Sequence, residues 1–527
     1  MNSNELTGKL ANLKLTLFAF HLCRNLAQGD KQPVNNANHL WHQCVTLGNL
    51  LQTNPKLDSL PEHLANKKSQ GSQQSDYLEL YESDGDRFVS FTTVSQPDKV
   101  PLQGTIYPVQ LHDTYALDLT LLATDKVETN QLNNLNFQGC LLPNKIEASL
   151  GQTLVLFAKP VDFSGNHQEL AAACVEALFQ DLENQPKPYF IAEGKLLGSP
   201  IFEFDNAQEN PSLNCHILVW LNTDEKTSEL EESGNYYRPL LNLLCCRTKI
   251  IYVYYQAQRC NEEARKLYSQ LEEKVEEFSN LKSDKKERLQ QLEKLLTELP
   301  QIGLNYARYL RDIELHLITI ETNAYNYRNC HKELVSCSVK EIDNLDFIQD
   351  FYASSCKIFQ KQIKVNMSYL TVGRQLFQQM METIRGIVEI EQAECDRNLQ
   401  KTIQSVGFGI GAAGVVATSA PYWIDQNPEK INIDKPFTST SLNTFTAVIL
   451  FSFIAGLGAW GIASGWMYRK SFIAGVKGRL SGGIGNNKTQ VSLPSSPGQP
   501  INTISQEPEA ATNTTETKRE DSARPHQ

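Results

Sequence analysis

Two stretches near the C-terminus constrain this chain more than anything else in it. From Ile403 to Ile424, and again from about Thr444 to Tyr468, the sequence has no Asp, Glu, Lys, Arg or His. At ~1.5 Å per helical residue, each run can cross a hydrocarbon core of ~30 Å. Aromatic residues stand where membrane interfaces favour them: Tyr422 and Trp423 end the first run, Trp466 and Tyr468 the second. The pattern predicts a two-helix transmembrane hairpin, with helices over 403–424 and 443–468 and an outer loop over 425–442. Arg469, Lys470, Lys477 and Arg479 follow the second run, whereas the loop has Lys430 and Lys435 beside Asp425, Glu429 and Asp434. The excess of positive residues past the second span places both termini in the cytoplasm. Gly407 and Gly411, and Gly461 and Gly465, stand four apart, a spacing that lets helices approach closely in lipid. No ionisable group lies within either run, which argues against a proton-coupled pump.

The rest of the chain is different in kind. Mean hydropathy over 527 residues is −0.37, which excludes a transporter built mostly of membrane. The hydrophobic fraction, 41%, suffices for a sizeable core. A net charge of −11 argues against nucleic acid as a partner, because phosphate binding needs a basic surface. All 12 cysteines fall between Cys23 and Cys395 and none forms a CxxC, as expected of buried thiols in a reducing compartment. The expected cysteine side of the membrane is therefore the one chosen by the lysines and arginines.

Residues 236–402 read as a helical stalk, with a coiled coil over about 256–300. Leu271, Val275, Phe278, Lys282, Lys285, Leu289, Leu292, Leu296 and Leu299 follow a heptad rhythm, so the six apolar positions from Leu271 to Leu296 form a seam. Pro300 is expected to end that helix. A second helix places Ile302, Tyr306, Tyr309, Ile313, Leu317, Ile320, Ala324 and Tyr327 on one face and ends near Cys337. A third begins near Leu345, Gly373 marks a break, and a last helix carries Leu376, Met380, Ile384 and Ile387 towards the first apolar run. Spacing alone leaves open whether the seam's partner is another chain or a neighbouring helix.

The N-terminal part divides into an α+β region over 1–145 and a mixed α/β domain over 146–235. Leu6, Leu10, Leu13, Leu17 and Phe20 have the spacing of one helical face, so the first segment reads as an amphipathic helix rather than a signal peptide. Leu40, Val45, Leu47 and Leu51 mark a second helix. Residues 77–81, 87–94, 104–110 and 114–122 read as strands, then 153–158, 189–193, 196–204 and 216–221, with a helix over 168–182. Residues 482–527, rich in Gly, Ser, Pro, Thr and Gln, are expected to be disordered. The fold class is thus α+β: a mixed cytoplasmic part, a helical stalk, a membrane hairpin and a tail.

No motif of a known chemistry stands out. His39, His42 and Cys44 supply half of a metal site, and Cys330, His331 and Cys337 a weaker one. Glu193 and Glu203 lie on neighbouring strands, where a solvated sheet edge is the simpler reading. The run SGGIGNNK lacks the spacing of a phosphate loop. No catalytic residue, metal site or cofactor is assigned.

The order of cytoplasmic α/β part, long stalk, two spans and short outer loop resembles CorA-type magnesium channels. That family has Gly-Met-Asn after its first span; this chain has Ala420-Pro421-Tyr422-Trp423-Ile424, so no ion-selecting residue carries over. The stretch YLTVGRQLFQQMMETIRGIVEIEQAECDRNLQKTIQSVGFGIGAAG resembles a family of uncharacterised cyanobacterial two-span membrane proteins, over about 240–470. That resemblance implies a membrane location and no activity. The expectation is a membrane-anchored sensor or scaffold that binds the bilayer, a cytoplasmic protein partner and further copies of itself. The alternative is an oligomeric ion channel of CorA-like layout.

Overall fold

The first apolar segment is a strand. In the computed structural model, which describes residues 8–24, 33–68, 77–83, 85–93, 100–180, 182, 186–339 and 342–392, Lys9–Leu22 forms β1 at the centre of a large sheet. The expected helix fails for a local reason. Asn12 takes a left-handed conformation at φ 49°, and the register against the neighbouring strand shifts between Ala11 and Lys14. This bulge puts Leu10 and Leu13 on the same sheet face, where Leu15 and Leu17 follow with a period of two. Phe18, Phe20 and Leu22 fill the other face. A strand covered on both sides is apolar at nearly every position, so its leucines can imitate a helical spacing.

The chain continues through α1 (His39–Leu51), β2 (Thr53–Asn54), α2 (Leu60–Lys68), β3 (Tyr77–Glu79), β4 (Val89–Thr93), β5 (Leu102–Leu111), β6 (Thr114–Ala123) and β7 (Val127–Glu128). Then come α3 (Pro143–Ile146), β8 (Gly151–Val161), α4 (His167–Leu178), β9 (Tyr189–Leu196), β10 (Ser199–Asp205), β11 (Cys215–Leu221) and α5 (Glu225–Glu232). The strand order is β2-β4-β5-β6-β1-β8-β11-β10-β9, with β3 joining β5 and β7 joining β1. Among the described residues every strand pairing is antiparallel except β8 with β11. Because β1 pairs with β8, regions 1–145 and 146–235 build one sheet.

Helices α1 to α4 cover one face, where Trp41, Leu47, Leu64, Ile146, Leu170 and Leu178 meet Leu15, Leu17, Leu119 and Leu154. The long helices cover the other. These are α6 (Tyr237–Ser279), α7 (Lys285–Cys337), the short α8 (Asp346–Asp350) with a π-helical turn over Phe351–Cys356, and α9 (Lys357–Gln392). The first third of α6 lies on the sheet: Leu240, Leu241, Leu244 and Ile250 pack with Phe18, Phe157, Leu218 and Trp220.

Three expectations for the stalk are corrected. The seam is not one helix, because the chain turns between Ser279 and Lys285, and the Asp284 carboxylate caps α7 by accepting from the Lys286 and Glu287 amides. Lys282 falls in that turn and Lys285 opens α7. Pro300 does not end its helix: α7 runs through it, held by the buried Leu295, Leu296 and Leu299. Gly373 is a packing position inside α9, since a Cβ there would sit 2.5 Å from the Tyr268 ring and 2.6 Å from the Tyr306 hydroxyl. Gly303 does the same for α7, where a Cβ would meet the Phe377 ring at 2.2 Å. Both glycines let α9 lie close against the α6–α7 hairpin.

Among the described residues no helix is long and apolar enough to cross a membrane. Both uncharged runs, with Gly407, Gly411, Gly461 and Gly465, and the C-terminal tail lie outside the described residues.

Candidate functional site

The sheet face that meets α6 carries an unusual density of polar groups, ordered by the strand register. Gln103, Leu122, Lys14 and Phe157 stand in one row across β5, β6, β1 and β8. Thr105, Thr120, Thr16 and Val155 form the next, and Tyr107, Asp118, Phe18 and Thr153 the third. Alternate residues of one strand share a face, so these rows follow directly from the pairing.

Over the first two rows opens a cleft of about 290 Å³, closed on one side by Glu231 at the end of α5 and by Tyr236, Tyr237 and Leu240 where α6 begins. Lys14 Nζ donates to Glu231 Oε2 at 2.6 Å and lies 5.7 Å from the Phe157 ring centre. Tyr236 also donates to Glu231, at 3.1 Å. At the cleft's inner edge Tyr237 Oη donates to Asp118 Oδ2 at 2.7 Å and Thr120 Oγ1 donates to Oδ1 at 3.1 Å. Burial pushes the Asp118 carboxyl up to about 6, against those two hydrogen bonds. Nearby, Tyr77 and Tyr107 touch through their hydroxyls at 3.0 Å, and Tyr107 donates to Glu79 at 2.7 Å. Burial drives the phenols of Tyr107, Tyr236 and Tyr237 far above their usual range.

Farther along the same face, α6 is fastened by ions. Arg247 donates to Glu203 Oε1 and to Asp205 Oδ2, each at 3.1 Å. His216 Nε2 lies 3.0 Å from Glu203 Oε1, and its Nδ1 lies 2.8 Å from the Thr153 hydroxyl. Lys249 Nζ donates to Asp113 at 2.5 and 2.7 Å. Burial works to raise all three carboxyls, but the His216 and Arg247 partners hold Glu203 below the usual range, Arg247 does so for Asp205, and Lys249 for Asp113. Each ion therefore has a counter-charge, as burial requires. Asp343 extends the fastening: its carboxylate accepts from the Leu197, Gly198 and Val339 amides at 2.8, 2.6 and 2.9 Å, tying the chain before α8 to the β9–β10 turn.

The residues singled out in the sequence are placed as follows. Leu271, Val275 and Phe278 on α6 and Leu292 and Leu296 on α7 join one apolar cluster with Phe377, Met380 and Ile384 of α9, so the seam packs within one chain. Leu289, the remaining seam position, is half-buried and is not part of that cluster. His39, His42 and Cys44 do not converge: His39 stacks on His21 at 5.5 Å, His42 is exposed and Cys44 is in the core. Cys330 is buried, while the Cys337 thiol reaches the Asn235 carbonyl at 3.6 Å. Among the described residues no three His, Cys, Asp or Glu could hold a metal ion. Glu193 is exposed and pairs with Phe202, so Glu203 points to the opposite face, where it is buried rather than solvated. Sequence reading missed Asp118, Glu203, Arg247 and Lys249 as a group. The signal was Arg247 and Lys249 inside a mostly apolar run from Leu240 to Val253, since buried cations call for buried anions. No family model matches this chain, and neither does any curated protein or solved structure.

Proposed function

We propose that the chain is a membrane-anchored sensor or scaffold, with its sheet and stalk in the cytoplasm and residues 403–424 and 443–468 forming the anchor. The observation that carries this reading is the path of the stalk. One end of α6 belongs to the sheet's core, its other end packs with α7 and α9, and α9 runs to Gln392, shortly before the first uncharged run. A packed three-helix rod leading from a sheet with a ligand-sized cleft towards a membrane segment suits relay of a binding event, or display of a docking surface at a fixed height. The partner is then a cytoplasmic protein or ligand rather than nucleic acid.

Self-association is part of the reading. Ile358, Val365 and Val372 recur every seven residues on the exposed side of α9, with Tyr369 four after Val365. A second copy offers the same heptad stripe. The same stripe supports the alternative, an oligomeric channel of CorA-like layout, which a unitary current in planar bilayers would separate from a scaffold.

Topology is the direct test. A cysteine placed at Asn432 should react with an impermeant thiol reagent in intact cells, while Cys395 should react only after permeabilisation. The reverse pattern, or recovery of the whole chain in the soluble fraction, would sink the proposal.

A further inference from the structure

Four carboxylates on the helix-facing side of the sheet domain have a cationic partner: Asp113 has Lys249, Glu203 and Asp205 have Arg247, and Glu231 has Lys14. Asp118 differs. It is 8% exposed, and among the described residues its partners are two neutral hydroxyls, those of Tyr237 and Thr120. A buried carboxylate without a cation is costly, and here it borders an open cleft rather than a sealed core. We propose that this cleft is a binding site for a small organic ammonium ion, with Asp118 as its counter-ion.

The walls argue for that ligand class. Phe18, Phe157, Trp220, Tyr236 and Tyr237 supply ring faces and edges, and aromatic faces attract ammonium groups. The cleft already accommodates one ammonium of its own: Lys14 Nζ lies by the Phe157 ring while bonded to Glu231. A metal ion fits poorly. Calcium takes about six to eight oxygens, whereas among the described residues no three His, Cys, Asp or Glu are grouped to hold an ion, and the cleft's other carboxylate, Glu231, is bonded to Lys14. A volume of about 290 Å³ suits a ligand of a few carbons, whose alkyl part would lie against Leu122, Val155 and Leu240. The cleft is built from the sheet, the end of α5 and the start of α6.

The test is calorimetric titration of the full chain in lipid nanodiscs with n-butylammonium chloride, against 1-butanol and sodium chloride, with empty nanodiscs as the blank. Saturable binding of butylammonium is expected, with none of the alcohol, and Asp118→Asn should weaken it at least tenfold. The groups that face Asp118 are Tyr107 on β5, Tyr237 on α6 with Tyr236 just before it, Lys14 on β1, Glu231 on α5 and, behind Tyr107, Tyr77 and Glu79 on β3, with Arg238 of α6 over the Tyr77 ring and Arg87 paired to Glu79. The phenols stay protonated across this range, so wild-type affinity should fall about tenfold between pH 7.5 and pH 5 as Asp118 takes up its proton. That pH dependence decides the matter if the variant does not fold. No binding above the blank, equal binding of 1-butanol, unchanged binding in the folded variant, or an affinity indifferent to pH would each overturn the proposal.

Discussion

Asp118 and Arg247 show how differently two buried charges can be held on one sheet face. Arg247 lies between Glu203 and Asp205, and the attraction outweighs the loss of water for all three. Among the described residues Asp118 has only hydroxyl donors, so burial dominates and pushes its folded carboxyl up from 3.8 to about 6. The linkage sign follows. Between those two values the folded state holds more protons than the unfolded state, so the contribution of Asp118 to stability falls as pH rises through about 4 to 6. Asp113, Glu203 and Asp205 act in the opposite sense: with depressed folded values, their contribution is present at neutral pH and lost as pH falls below the usual carboxylate range. Asp118→Asn should therefore raise stability by about 1–3 kcal/mol at pH 7, part of the gain being offset by an amide with no acceptor. The gap should close by about pH 4. Thermal melts of both proteins across that range are the check, and a gap that stays constant with pH would show that burial does not raise the folded Asp118 carboxyl above its unfolded value. None of this was legible in the sequence, where Asp118 is one acid in a strand pattern; the burial that shifts it comes from α6, more than a hundred residues away.

At the scale of elements, the sequence reading succeeded where one period dominated. Strands β4 to β6 and β8 to β11 lie within a few residues of their expected bounds because alternation or short apolar runs marked them. It failed where local signals conflicted with packing. The bulge at Asn12 gave β1 a helix-like spacing, Pro300 and Gly373 looked like breaks, and the turn at 280–284 was hidden because its length preserved the heptad phase across two helices. The seam residues were legible as apolar partners; which helix each belonged to was not. Their burial now ranks them. Leu292 is wholly buried among Leu271, Phe377 and Ile384, whereas Leu289 is half-buried and does not belong to that cluster. Leu292→Ala should cost about 2–5 kcal/mol, the range for a packed leucine, and Leu289→Ala clearly less. Equal losses at the two positions, in denaturant titrations, would mean that Leu289 is covered by another copy of the chain.

Among the described residues the sheet domain meets the stalk through the start of α6, the end of α7 and the Asp343 segment before α8, and the apolar contacts divide along the stalk. The cluster that packs α6, α7 and α9 onto the sheet extends along the stalk through Tyr306, Ile313, Ile320 and Tyr327. A separate, smaller cluster of Leu271, Leu292, Leu295, Leu296, Leu299, Phe377, Met380, Met381, Ile384 and Val388 holds the far end. Local stability tracks such contacts, so opening should be graded along the rod rather than all-or-none. The central strands β1, β8 and β11 have both faces covered and should open only with the whole fold. The far end has water on most of its outer surface, and its α6–α7 turn contributes little burial. In native-state hydrogen exchange, amides of 271–299 and 377–388 should therefore exchange faster than those of β1, β8 and β11. Leu292→Ala should speed the first set while leaving the second unchanged. An equal speeding of both would show that stalk and sheet unfold as a single unit, and would make the stalk a stiffer link than its two clusters imply. A graded response would mean that force or binding transmitted along α9 meets its weakest joint at the end remote from the cleft.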